Sequence, residues 1–408
     1  MNSRNSEYAQ RNLTIDIFRA VTMLLMIFVN DLWSVKGYPD WFRHADFHED
    51  FLGLSDVVFP AFLFAVGLSI PYALEGRFIK GVSELSTVSH ILTRSLALIL
   101  MGVFIVNTER GVGEATGLSF SVYRIIMVVA FFLVWNAYPK TEHYGRRILF
   151  KSLQITGVIT LGILALIFRD KEGNVFSPGW WGILGLIGWA YLFAAFVYFF
   201  ARKNIPVQLF IFILLCILCL LQTPMKDGSI LLDFPPGNFF NSFLDLIQIR
   251  NGAHPALVMA GMLFSIYQVK FLREKSPGVK IGNMLIWAAV FAVMGYLTNF
   301  GWIISKLQAS FPWVAYSIAI SIAVFALLLF LTERGLTSWF KVIRPAGTAT
   351  LTCYMIPFLL YSLFRITGFR WPAWSLYGLA GILKCLFFAL IVIWITGLLE
   401  RLKIKLKV

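Results

Sequence analysis

The chain has 408 residues, of which 59% are hydrophobic, 16% aromatic and only 14% charged. A soluble chain of this length would divide into two or three domains and carry far more charge. The 35 basic against 21 acidic side chains, a formal +14, would suggest nucleic acid in a soluble protein; in a membrane protein, Lys and Arg gathered in cytoplasmic loops give the same excess, and no nucleic-acid partner is expected.

Apolar runs of about 20 residues recur along the whole chain, long enough to cross a ~30 Å hydrocarbon layer as helices. The ~10-residue alternating segments of a membrane β-barrel are absent. The fold class is therefore all-α, a polytopic integral membrane helical bundle. Spans fall near 14–32, 52–75, 88–107, 119–138, 148–168, 181–201, 205–223, 251–271, 282–300, 312–332, 345–365 and 376–399. Twelve spans put both termini on one side. Alternate loops hold Arg4 and Arg11; Arg77 and Lys80; Lys140, Arg146 and Arg147; Arg202 and Lys203; Lys270, Arg273, Lys275 and Lys280; Arg334, Lys341 and Arg344; and the tail from Arg401 to Lys407. The rule that basic loops stay cytoplasmic then places both termini inside. No cleavable leader is visible, and the whole chain is expected to form a single domain. Cys216, Cys219, Cys353 and Cys385 all lie inside spans; the CxxC spacing of the first two has no His or polar partner, so they read as small buried hydrophobes.

Two outer loops are long, 33–51 and 224–250, and such loops often cap a site. The first is the more informative, because residues 41–60 read WFRHADFHEDFLGLSDVVFP. His44 and Asp56 have the types for a general-base pair, an imidazole oriented by a carboxylate. An isolated loop histidine is more often solvated surface; the flanking carboxylates raise His44 above that. Pro60 is expected to kink or loosen the second span. HADFHED shows neither an HExxH helix nor a second ligand set, so no metal is expected.

Ionisable residues inside spans are costly and are functional candidates by default. Asp16 and Arg19 share one face of the first span, one turn apart, as a structural pair or an anchor for an anionic ligand. Arg94, early in the third span, suits phosphate or merely snorkels. Arg124, at the outer end of the fourth, is less suggestive. Asn30 and Asp31 end the first span. His48 lies beside His44 in the loop; His254 opens the eighth span near Asp245 and Arg250; Lys306 sits in the outer loop NFGWIISKLQASFPW. Asp31, His48, His254 and Lys306 are the candidates for lining an acceptor entrance.

Over the first hundred or so residues RNLTIDIFRAVTMLLMIFVN, the histidine loop, DVVFPAFLFAVGLSI and ILTRSLALILMGVFIVN follow one another. In that order they resemble the heparan-α-glucosaminide N-acetyltransferase family and its bacterial relatives. The family's opening Arg, Asp-x-Phe-Arg, span-ending Asn, His-Ala pair and Asp-to-Pro helix start fall on Arg11, Asp16, Phe18, Arg19, Asn30, His44, Ala45 and Asp56 to Pro60. Fainter likeness continues in WGILGLIGWAYL, HPALVMAGMLF, the Ser-Lys-Leu around Lys306 and RPAGTATLTCYMI. The spans at 119–168 look like a pair inserted into the family's core.

The resemblance implies an acetyl-CoA-dependent N- or O-acetyltransferase of the bacterial inner membrane that takes its donor from the cytoplasm. The acceptor is expected to be an extracytoplasmic amino sugar or glycan, and the assembly a homodimer. His44 is the implied catalytic residue and Asn30 a supporting group; chemistry adds Asp56 to orient the imidazole and Asn30 to bind an oxyanion. Arg19 and Arg94, with Asp16, would receive the coenzyme A phosphates. The alternative from the same features is a transporter or flippase for a glycan or lipid-linked intermediate; a third is a relative that binds without turnover.

Overall fold

In the computed structural model, residues 12–232, 244–247 and 251–408 are described. Arg4, Arg11 and Arg250, and most of the 233–250 part of the second long loop, lie outside them. Among the described residues, eleven helices are long and apolar enough to cross a membrane. The chain is a polytopic helical membrane protein.

The helices are α1 (Leu13–Asp31), α2 (Leu54–Ile79), α3 (Glu84–Glu109), α4 (Phe120–Trp135), α5 (Tyr144–Ile167), α6 (Gly182–Ala201), α7 (Ile205–Gln222), α8 (Ala253–Tyr267), α9 (Pro277–Thr298), α10 (Phe311–Glu333), α11 (Phe340–Thr348), α12 (Thr350–Thr367) and α13 (Gly378–Arg401). Each expected span coincides with one of them, with two departures. At 119–138 the helix is only Phe120–Trp135, 16 residues, about 24 Å at 1.5 Å per residue. It stops because Asn136 turns to extended backbone and Ala137 donates to the carbonyl of Lys405 in the C-terminal tail at 2.8 Å. At 345–365 the expected single span is two helices, broken at Ala349, whose ψ is 47°.

The chain divides into two compact units: Met1–Thr22, Pro39–Ser95 and Leu186–Lys341 form one, and Met23–Tyr38, Leu96–Gly185 and Val342–Val408 the other. In the first, α2 and α8 cross at backbone distance. Added Cβ atoms at Gly67 and Gly261 would collide with the carbonyls of Val258 and Phe64 respectively. Close small-residue crossings are how membrane helices gain van der Waals contact where lipid removes the hydrophobic drive between them. Beside that crossing Phe18, Phe64, Phe264 and Phe325 pack edge to face or tilted, with centroids 5.6–6.1 Å apart.

In the second unit, Tyr123 on α4 donates to the Leu164 carbonyl on α5 at 3.2 Å. Lys384 of α13 forms a buried ion pair with Asp31 at 2.8 Å.

Candidate active site

The site of the first unit begins at the start of α2. Asp56 is the third residue of that helix, where a carboxylate satisfies free amides and complements the helix dipole. Its Oδ2 accepts from Gly53 N at 3.4 Å and from Ala45 N at 2.9 Å. Its Oδ1 lies 2.8 Å from His44 Nδ1. The carboxylate is thus 1% exposed yet fully engaged. Gly53 is required here, because a Cβ would strike the Arg43 carbonyl.

Pro60 does not loosen α2, contrary to the expectation from sequence: the helix runs unbroken from Leu54 to Ile79. A proline removes the amide that would bond the carbonyl four residues earlier, here that of Asp56. Trp313, fully buried near the start of α10, fills the gap: its Nε1 donates to the Asp56 carbonyl at 2.9 Å. The missing bond is thereby turned into a tie between two helices at the site.

The loop before α2 is held by its own charges. Arg43 clasps Glu49 with both ends of its guanidinium and lies over the Phe51 ring, 4.7 Å from its centroid. That bidentate contact brings the Glu49 carboxyl down to about 2 and raises the guanidinium. Asp50 accepts from Ile304 N at 2.8 Å and pairs with Lys226 at 2.7 Å. Gln308 donates to the Phe47 carbonyl at 2.8 Å. The histidine loop is therefore pinned to the loop that precedes α10.

That second loop delivers Lys306. Its Nζ lies 3.3 Å from His44 Nδ1, 3.5 Å from the Ser55 carbonyl and 3.9 Å from Asp56 Oδ1. Burial draws the Lys306 ammonium below its ordinary range, and the Asp56 charge partly restores it. The arrangement decides a tautomer. A carboxylate at 2.8 Å accepts, so Nδ1 carries the proton and the lone pair is on Nε2. Lys306 then cannot donate to Nδ1 and directs its protons to Asp56 and the Ser55 carbonyl. The His44 side chain is 51% exposed, which leaves its basic nitrogen able to meet a reactant.

Residues 11–250 match the family model described as a domain of unknown function, DUF5009. The chain belongs to this family. It is also similar to two proteins named heparan-alpha-glucosaminide N-acetyltransferase. The one from Mus musculus is 36% identical over 106 residues, 26% of this chain and 15% of that protein. The one from Homo sapiens is 34% identical over 111 residues, 27% and 16%. The chain thus matches only a small fraction of its curated relatives' length. His44, Asp56, Arg19 and Arg94 lie within the DUF5009 match; His254, Lys306 and Trp313 lie beyond it.

The structure thus gathers His44, Asp56 and Lys306 from the expected set. His254, half-buried, packs between Phe59 and Trp313 with ring centroids at 5.8 and 6.3 Å. His48 is exposed, its ring edge-on to Phe47. Arg19 donates to Ser69 Oγ at 2.8 Å and lies 3.7 Å from Asp16. Arg94 stacks over Tyr191 at 4.8 Å, and its buried Nε has no hydrogen-bond partner among the described residues. Asn30 and Asp31 belong to the second unit. There Asn30 lines a small cavity with Arg124, Tyr354 and Tyr361, and both Asp31 oxygens are engaged, one by Tyr361 and one by Lys384, each at 2.8 Å. Lys384 was missed from sequence, although a lysine in the apolar run GILKCLFFA is the intramembrane charge that should have flagged it. Trp313 carries no such signal, since its role appears only once Pro60 is folded into a helix.

Proposed function

We propose that this protein is a membrane-embedded acyltransferase that moves an acetyl group from acetyl-CoA to an amine or hydroxyl of an amino sugar or glycan. The observation that carries the reading is the His44–Asp56 pair at 2.8 Å with Lys306 beside it. Similarity to proteins named as N-acetyltransferases supports it.

In the reaction, His44 Nε2 takes the proton of the acceptor as its nitrogen or oxygen attacks the thioester carbonyl. Asp56 holds the proton on Nδ1 and compensates the imidazolium that forms. Lys306, close to the imidazole, offers positive charge to the oxyanion of the tetrahedral intermediate, the supporting role that sequence reasoning gave to Asn30. Collapse breaks the carbon–sulfur bond; imidazolium returns its proton to the leaving thiolate, and free coenzyme A and the acetylated acceptor result. Arg19 and Arg94 are the candidates for the donor's phosphates, Arg94 with a donor still unused. With both termini cytoplasmic, as the loop charges favour, the donor enters from the cytoplasm and His44 meets the acceptor on the far side of a bacterial inner membrane. No step calls for a metal.

Purified protein supplied with radiolabelled acetyl-CoA and glucosamine is expected to release coenzyme A and label the amine, and His44→Ala to lower turnover at least ~100-fold while eluting and melting as the parent. Undiminished transfer by His44→Ala overturns the assignment. Failure of the parent to consume acetyl-CoA with any amine or hydroxyl acceptor, together with protein-dependent movement of a glycan across vesicles, favours a transporter.

A further inference from the structure

Two cavities of the first unit take successive stretches of residues 260–273, α9 and α10 into their linings and have no lining residue in common. One, about 300 Å³, is polar and lies where Gln268, Arg273, Lys280 and Glu333 converge. The other, about 240 Å³, is almost wholly apolar and takes Phe264, Trp287, Phe291 and Ile322 into its lining. On α9 the lining residues are Lys280 and Met284 of the polar cavity, then Trp287 and Phe291 of the apolar one. Steps of four, three and four residues keep all of them on one helix face. On α10, Ile318 and Ile322 line the apolar part and Leu329 and Glu333 the polar part, again on one face. The third wall changes character at the end of α8, where a π-helical turn, Gln268–Leu272, continues from Tyr267. Tyr267 and Phe271 face the apolar cavity and Gln268 and Arg273 the polar one. Such a turn inserts one residue and so rotates the side chains beyond it about the helix axis.

End to end, the two cavities have the polarity and depth of one lipid leaflet. From Lys280 to Phe291 the helix rises about 16 Å, roughly half of a ~30 Å hydrocarbon layer. The Lys280 side chain has no hydrogen-bonding or ionic partner among the described residues, and Gln268 Nε2 is buried without an acceptor. Two cations and an amide donor suit a phosphate; the Glu333 carboxylate in the same cavity suits an amine. We propose that the two cavities act as one groove that binds a glycerophospholipid with an amine-bearing headgroup. Its phosphate lies at Arg273 and Lys280, its ammonium at Glu333, and one acyl chain runs along Trp287 and Phe291. None of these residues belongs to the His44 site, and the proposal does not depend on the acyltransferase reading.

Native mass spectrometry of the full-length, delipidated protein tests it, with phosphatidylethanolamine, phosphatidylglycerol, phosphatidylcholine, inorganic phosphate and coenzyme A as separate probes. Phosphatidylethanolamine is expected to bind at least tenfold tighter than phosphatidylcholine. Arg273→Gln with Lys280→Gln is expected to weaken it at least tenfold, and Glu333→Gln to close the gap to phosphatidylglycerol. Phosphatidylethanolamine brominated on its acyl chain is expected to quench parent fluorescence more than that of Trp287→Phe, a readout that survives if the charge variant fails to fold. Equal quenching in the two proteins, unchanged lipid affinity in a folded charge variant, or displacement of the lipid by coenzyme A or by phosphate alone overturns the proposal.

Discussion

The indole Nε1 of Trp313 donates to the backbone carbonyl of Asp56 at 2.9 Å, the acceptor that Pro60 deprives of its helical partner. Trp313→Phe removes the donor and leaves a buried carbonyl bare, at a cost of about 1–3 kcal/mol plus lost packing. Pro60→Ala restores an amide at that position. The double variant is therefore expected to be less destabilised than the two single costs added together, a coupling of roughly 0.5–3 kcal/mol. Thermal melts of the four proteins in one detergent measure it; strict additivity means the Trp313 bond does not replace the helical one.

Asp56→Asn keeps the shape of the side chain but reverses the proton logic at His44. An amide N–H facing Nδ1 drives the imidazole proton to Nε2, where the base is needed. Turnover is expected to fall roughly 10²–10⁴-fold, with the acetyl-CoA KM little changed. Steady-state kinetics with both substrates varied will separate the two. A loss confined to KM would mean that Asp56 shapes a binding surface and does not orient the imidazole.

Lys306 gives a pH signature. Burial lowers its pKa from 10.5, so the ammonium is lost at lower pH than on an open lysine. If positive charge there stabilises the oxyanion, activity declines as pH rises through that depressed pKa. Lys306→Arg, which stays charged, is expected to move the alkaline limb upward, and Lys306→Met to lower turnover below that pKa and to remove the limb. For stability the sign is opposite. Between the folded and unfolded pKa values the unfolded chain holds more protons, so the Lys306 contribution to stability increases with pH across that window. Comparing rate and melting profiles of parent and Lys306→Met checks both directions.

Legibility in the sequence depends on how local each signal is. Hydropathy is a local property, so the spans were readable to within a few residues. The two departures arise where local pattern yields to distant partners: α4 is cut short by the C-terminal tail, and the 345–365 segment breaks at Ala349 after Pro345. At the site, His44 and Asp56 lie within twelve residues of each other and announce themselves by type. Lys306 was visible as a charge, but its contact with His44 spans 262 positions and comes from loop pairing through Asp50 and Gln308. The division into two units, which assigns Asn30 and His44 to different ones, leaves no mark on composition or periodicity.

The buried pair of Asp31 and Lys384 calls for its own measurement. Their side chains are 2% and 3% exposed, and Ser34 and Tyr361 complete the network at 2.6 and 2.8 Å. Removing one member strands the other charge in a poorly hydrated interior, a loss of about 3–5 kcal/mol. Removing both trades an ion pair for apolar packing, which is often close to neutral. Lys384→Met is thus expected to lower the melting temperature sharply, and Asp31→Asn with Lys384→Met to recover most of the loss. If the double variant retains activity as well as stability, Asp31 serves the fold and not the acceptor; if it is stable but inactive, the carboxylate has a part in substrate handling that its engaged oxygens do not reveal.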